Sequence, residues 1–324
     1  MEALIFNNFG GPEVLKYENV EDPVIGAKDL LVEMKAVGLN FADIYRRRGE
    51  YHLEGNPPYI LGYEGAGVVK AVGELITSYK IGDRIGFADV PFSNAEFVCV
   101  NEDKAIPLPD EITYEMAATL LLQGLTADFL VNDCFQVKDG QHIVMYAVSG
   151  GVGQLLLQML KLKGAVVYGV TSSEEKRKIA LGLGADRVFL HSENWKQEIL
   201  MYTKEENGAD AVYDSIGTTL QDSFEITKQG GTVIFFGMAG GKPPLIDPMT
   251  VFNESKTLVG GDLWYYLSSK EERIKRAGRL FELILSGKLI VQKPITLKLS
   301  DGAKAHEILE NSKSTGKIIY TLSK

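Results

Sequence analysis

Apolar and polar positions trade places early in the chain at the spacing of a half-buried strand. Over residues 30–37, Val32, Met34 and Ala36 fall on one face while Glu33 and Lys35 fall on the other. Residues 3–6, 65–72 and 95–100 are further short apolar runs of strand type, and Gly82-Asp83 marks a turn. Strands spaced this closely predict a small, antiparallel, barrel-like domain.

After Pro107 and Pro109 the texture changes. Residues 114–135 have the spacing of a helix. Apolar runs at 143–147, 165–170, 187–190, 211–214 and 231–236 then alternate with helical spacing at 155–162, 174–183, 195–203 and 220–227. That alternation predicts a doubly wound parallel sheet. Residues 237–248 form a Gly/Pro-rich exit loop. Beyond it, residues 271–285 place Ile274, Ala277, Phe281 and Ile284 on one helical face, 301–310 is a second helix, and 317–322 a last strand. The tail is read as rejoining the first domain. The expected class is therefore α/β, with a β-rich domain of residues 1–120 plus 256–324 and an inserted doubly wound domain of residues 121–255.

Within the inserted domain, residues 142–164 carry the strongest chemical signal. A buried-type strand runs straight into Gly150-Gly151-x-Gly153. Leu155, Leu156, Met159, Leu160 and Leu162 then share one helical face. Strand, glycine turn and helix N-terminus form a cradle for a dinucleotide pyrophosphate, because backbone approaches the phosphates closely and the helix end supplies free N–H groups and a positive dipole. The fingerprint here reads Ala147-x-x-Gly150-x-x-Gly153, not G-x-G-x-x-G, so the context of strand, helix and second strand carries the assignment.

Composition narrows the partners. A length of 324 residues accommodates two domains. A net charge of −9 argues against nucleic-acid backbone binding as the main task. No apolar run is long enough to span a bilayer, so no membrane partner is expected. Cys99 and Cys134 are too few for a disulfide scaffold or a four-thiolate zinc site, and Cys99 is expected as a small buried core residue. With no signal peptide discernible, the cytoplasm is the expected compartment.

The end of the second strand of the inserted domain decides between nicotinamide cofactors. NAD-selective units place an acid about twenty residues beyond the glycines, on the ribose 2′-OH. Here the stretch reads Thr171-Ser172-Ser173-Glu174-Glu175-Lys176. Hydroxyls followed by a lysine suit a 2′-phosphate, and Ser173 can cap the next helix at the same time. NADPH is the expected cofactor.

The glycine loop, the hydroxyl-rich strand end and the block Gly38-Leu39-Asn40-Phe41-Ala42-Asp43-Ile44-Tyr45-Arg46-x-x-Gly49-x-Tyr51 together resemble one family. It is the zinc-independent quinone oxidoreductase (zeta-crystallin-like) branch of the medium-chain dehydrogenase/reductase superfamily. The similarity runs from Phe9-Gly10-Gly11-Pro12-Glu13-Val14-Leu15 to Thr315-Gly316-Lys317. It implies a GroES-like catalytic domain with an inserted Rossmann domain. Zinc-dependent relatives carry G-H-E-x-x-G, and this chain has Gly62-Tyr63-Glu64-Gly65-Ala66-Gly67, with no cysteine near Asn40. No metal is expected. The resemblance further implies Tyr45 near the nicotinamide and Ser149, Gly150, Gly151 and Val152 at the pyrophosphate. It puts Ser172, Lys176 and His191 around the 2′-phosphate, Thr218 after the fourth strand and Gly237, Met238 and Ala239 after the fifth. Asp262 and Leu263 are implied at the nicotinamide end, although an acid there also suits a turn. A homodimer is implied as well, through the sheet edge near residues 242–263.

Hydride addition without a metal suits an acceptor polarised by conjugation, a quinone or an enone, better than a simple ketone. The expected activity is NADPH-dependent quinone reduction, with enone or alkenal reduction as the alternative. A non-catalytic NADPH-binding protein, RNA-binding or crystallin-like, is the reading from another class. Asn40, Tyr45, Tyr51 and Tyr63 are the candidate donors to the developing oxyanion, the first two for positioning and the others on the substrate side.

Overall fold

The computed structural model describes residues 1–204, 207–311 and 314–322. Its contacts divide the chain into two compact units. One comprises Met1–Leu125, Leu267–Ser286 and Gln292–Lys324, the other Thr126–Tyr266 and Gly287–Val291.

The first unit is organised by one long strand, Asp29–Leu39, in which Leu30, Val32, Met34 and Ala36 are all buried. It pairs antiparallel with Glu64–Val72, with Phe97–Asn101 over its first half and with Ile318–Thr321 over its second. The register sets Val37 opposite Gly65 and Leu39 opposite Ile318. As a result Asn40, Glu64 and Lys317, each one residue beyond a pair, share one end of the sheet. The seven-residue helix Phe41–Arg47 starts there under a capping box in which the Asn40 N–H donates to Asp43 Oδ2 over 2.9 Å. The apolar pattern does not reveal this helix, because Asp43, Arg46 and Arg47 are themselves buried. Cys99 is only half-buried, since its strand lies where one side chain in two turns outward; partial burial raises its thiol to about 11.

The second unit contains one fully parallel sheet of six strands. Their order is Arg187–Leu190, Val166–Thr171, His142–Tyr146, Ala209–Asp214, Thr227–Phe235 and Thr257–Gly260. Numbered along the chain this is the order 3-2-1-4-5-6 of a dinucleotide-binding fold. The expected α/β class holds. Residues 256–266, assigned from the sequence to the β-rich domain, lie with this unit, because Thr257–Gly260 extends its sheet beside Thr232–Phe235. The helix expected over 114–135 is α-helical over Tyr114–Phe129 and continues as a wider π turn over Leu130–Cys134.

Candidate cofactor and active site

In a parallel sheet every strand ends on the same edge, so the loops that follow the strands gather there. The first such loop leaves His142–Tyr146 through Ala147, held at φ +48°, and closes with the Gly150 N–H on the Ala147 carbonyl at 2.8 Å. Helix Gly151–Leu162 then begins with no side chain capping its first turn. Its leading N–H groups and dipole are left for an anion. A Cβ on Gly153 would lie 2.3 Å from the Ala147 carbonyl oxygen, and one on Gly169 would lie 2.5 Å from Val148 Cγ1. These two glycines let the helix and the neighbouring strand close on the turn. Ser149 is buried, with its hydroxyl 2.9 Å from that of Thr171, and its carbonyl accepts from Gln154 Nε2. Ser149 thus braces the loop, while Gly150, Gly151 and Val152 are half-exposed beside it.

Past Val166–Thr171, Ser173 accepts from the Lys176 N–H and caps helix Glu174–Gly182, and Lys176 Nζ donates to Ser172 Oγ at 3.3 Å. His191 follows the adjacent strand, its N–H on the Thr171 carbonyl at 3.0 Å. Burial pulls the Lys176 ammonium below the ordinary lysine value, outweighing the opposite pull of Glu175, and partial burial likewise lowers His191. A neighbouring negative charge would favour the charged form of either group. Glu174 is turned onto Arg177 at 3.2 Å, and Arg177 also binds Glu193. That pairing takes Glu174 out of competition with a phosphate.

Asp214 organises the loops after the fourth and fifth strands. Fully buried, it accepts from the N–H groups of Ile216 and Gly217 and from the hydroxyls of Thr219 and Ser223, at 2.7–3.0 Å. Ala239 and Gly240 then donate to the carbonyls of Ser215 and Ile216 at 3.0 and 2.9 Å. Thr218 and Ala239 are exposed, Gly237 and Met238 half-buried. Asp262 is exposed and accepts from the Trp264 N–H at 3.3 Å, while Leu263 is buried. So Ser149–Val152, Ser172, Lys176, His191, Thr218, Gly237–Ala239 and Asp262 all follow carboxyl ends of strands on one edge.

In the first unit the other candidates separate. Tyr45 and Tyr51 are half-buried. Asn40 is buried and its amide is committed: Nδ2 donates to Glu64 Oε2 at 2.9 Å, and Oδ1 accepts from Lys317 Nζ at 2.7 Å. Tyr63 is 3% exposed, its hydroxyl on the Glu54 carboxylate and its ring under the Arg46 guanidinium, 3.5 Å from the centroid. Arg46 also lies 5.0 Å from the Tyr51 ring centroid and donates from Nε to the His52 carbonyl. Glu64, Lys317, Arg46 and Asp214 carry these arrangements, and the sequence reading did not single them out as site residues. The usable signals were a lysine wedged between Gly316 and the apolar Ile318-Ile319, and an aspartate closing a strand before a Gly-Thr-Thr turn. Among the described residues, no three His, Cys, Asp or Glu side chains converge as a metal-holding group.

Comparison with known proteins agrees with both units. Residues 26–110 match the family described as alcohol dehydrogenase GroES-like domain, and residues 151–280 the family described as zinc-binding dehydrogenase. The chain is 34% identical to the quinone oxidoreductase of Pseudomonas aeruginosa, with 97% of each chain covered. The chain belongs to the quinone oxidoreductase branch of the medium-chain dehydrogenase/reductase superfamily. A solved quinone oxidoreductase of this branch, from Pseudomonas syringae pv. tomato, has a TM-score of 0.95 at 35% identity over 99% of both chains. That of Escherichia coli, solved in complex with NADPH, has a TM-score of 0.95 at 30% identity, covering 99% of this chain and 100% of its own. A 2-haloacrylate reductase from a Burkholderia species is 29% identical over 98% of each chain.

Proposed function

We propose that this member of the quinone oxidoreductase branch is a cytoplasmic, homodimeric, NADPH-dependent reductase of quinones that works without a catalytic metal. The observation that carries the reading is the pairing of an uncapped helix start at Gly150–Val152 with the Ser172, Lys176 and His191 group one strand away. Three donors or cations beside a strand end suit a phosphate ester and not a free ribose hydroxyl. When bound, NADPH supplies a hydride.

The chain's own residues do the rest. Gly150, Gly151 and Val152 present backbone N–H groups to the pyrophosphate, braced by Ser149. Thr218, Gly237, Met238, Ala239, Asp262 and Leu263 line the remaining strand ends toward the nicotinamide. Tyr45 and Tyr51, both half-buried, serve as donors to the oxygen on which charge develops. Asn40 holds its helix in place instead of donating to substrate. Zinc does not fit: tyrosine stands where a ligand imidazole is needed, and Glu64 is neutralised by Lys317 at 2.5 Å and by the Leu122 N–H at 2.7 Å. The likeness to a 2-haloacrylate reductase favours activated alkenes as a second class of acceptor.

Two free thiols support the reducing compartment. Thr257–Gly260 supports the dimer as the outer strand of the six-stranded sheet, preceded by a segment with Leu245, Met249 and Phe252 exposed. The test is oxidation of NADPH and NADH against 1,4-benzoquinone and a set of 2-alkenals, with metal content assayed on the same sample. Quinone turnover with NADPH that survives chelation is expected. A preference for NADH, or activity lost on chelation, overturns the reading.

A further inference from the structure

A buried ammonium whose partners are all fixed is a costly feature, and in this chain it stands beside the residue that starts the Tyr45 helix. Lys317 Nζ, with its side chain 2% exposed, donates to Glu64 Oε2 and to Asn40 Oδ1. Asn40 Nδ2 donates to the same Glu64 oxygen, so the three side chains close a ring. The other Glu64 oxygen takes the Leu122 N–H. Gly38 makes room for this: a Cβ there would lie 2.2 Å from Glu64 Oε2 and 2.5 Å from the Ala118 carbonyl oxygen. Three segments far apart in sequence are thereby fastened at the sheet end from which Phe41–Arg47 departs. A surface lysine would have met solubility needs at no desolvation cost, and an apolar residue would have packed the position without one.

We propose that Lys317 is a positioning residue for the reaction. Its ammonium locks Asn40 against Glu64 and so fixes the first turn of the helix that presents Tyr45. The internal cation takes up the charge of Glu64, and it makes the tyrosine-bearing helix rigid. The proposal rests on the quinone reductase reading for its kinetic consequence and on the ring alone for its structural one.

The test compares wild type with Lys317→Arg, Lys317→Met and the double variant Glu64→Gln/Lys317→Met, which removes both charges and guards against a misfolded single variant. Steady-state kinetics use NADPH and 1,4-benzoquinone, and amide hydrogen exchange follows residues 40–47. The folded Met variants are expected to lose about a hundredfold in kcat, as an ångström-scale displacement of a positioned group does. Their KM for NADPH is expected to stay within about twofold, since the glycine turn is intact, and exchange over residues 40–47 to quicken. Lys317→Arg keeps the charge and is expected to recover most of the loss. Wild-type kcat in the double variant, or unchanged exchange over residues 40–47, overturns the proposal. If wild type itself fails to reduce quinones, the activity reading falls while the exchange measurement still decides the role of Lys317.

Discussion

Arg47 donates from Nη1 to Nδ1 of His306 over 2.8 Å, and neither side chain reaches solvent. A guanidinium has no acceptor, so the imidazole accepts at Nδ1, keeps its proton on Nε2 and is neutral. The contact joins helix Phe41–Arg47 to helix Gly302–Glu310, where Glu310 also pairs with Arg47 and, at 3.0 Å, with Arg48. Burial, reinforced by the Arg47 charge, lowers His306 to about 3.

That depression makes stability depend on pH. An unfolded histidine titrates near ~6.5, so between that value and the folded one the unfolded chain carries a proton that the native chain does not. Stability contributed by His306 is whole above the unfolded pKa and is lost as pH falls toward the folded one. Urea unfolding is expected to show this group removing about 1.4 kcal/mol for each pH unit between roughly 6 and 5. His306→Gln should flatten the slope by that amount; an unchanged slope would mean the imidazole is charged in the native state.

Cofactor choice should respond to Lys176 alone. Lys176→Ala removes a cation from the proposed 2′-phosphate site while leaving the Ser173 cap, which uses the Lys176 backbone N–H. A charged hydrogen bond is worth about 2 kcal/mol, so KM for NADPH is expected to rise roughly thirtyfold. KM for NADH should stay put. Equal losses with both cofactors would indicate general damage to the loop.

The Gly153 contact predicts a steric effect with a built-in comparison. Gly153→Ala sets a methyl against Ala147 and Val148 backbone, neither of which can swing aside. Loss of about 1–3 kcal/mol is expected, together with weaker NADPH binding by fluorescence titration. Gly182, which has nothing within 4 Å of its Cβ position, should accept alanine with no loss of melting temperature. Tolerance of alanine at Gly153 would show that the turn opens readily.

Much of this was legible from sequence, and the limits have physical causes. Parallel strands buried on both faces are apolar runs, so the six-stranded sheet announces itself except at its outer strand. There, Thr257–Gly260 is largely exposed and its pattern resembles a loop. Glycines reveal the phosphate turn because the steric need for them is local. The ring of Asn40, Glu64 and Lys317 is harder to read, because Lys317 meets its partners across 277 and 253 residues and its apolar neighbours Ile318-Ile319 hint at burial without naming the partners. Tyr63 shows what a motif leaves out. Its place in the motif suggested a substrate-facing hydroxyl, whereas the structure turns that hydroxyl to Glu54 and covers the ring with Arg46.

The hydroxyls of Tyr63 and Tyr51 should therefore differ in worth. Tyr63→Phe keeps the ring beneath Arg46 and removes the hydroxyl's contact with Glu54, so kcat with 1,4-benzoquinone is expected to remain within about twofold of wild type. Tyr51→Phe removes a donor that the proposed reaction uses, and loss of one oxyanion donor costs on the order of a hundredfold in kcat. Tyr63→Leu is the third arm. It sacrifices the cation–π contact, worth about 1–2 kcal/mol when desolvated, and should lower the melting temperature while leaving the chemical step intact. A large kcat defect in Tyr63→Phe with a silent Tyr51→Phe would exchange the two roles and make the Glu54–Tyr63 pair the proton source.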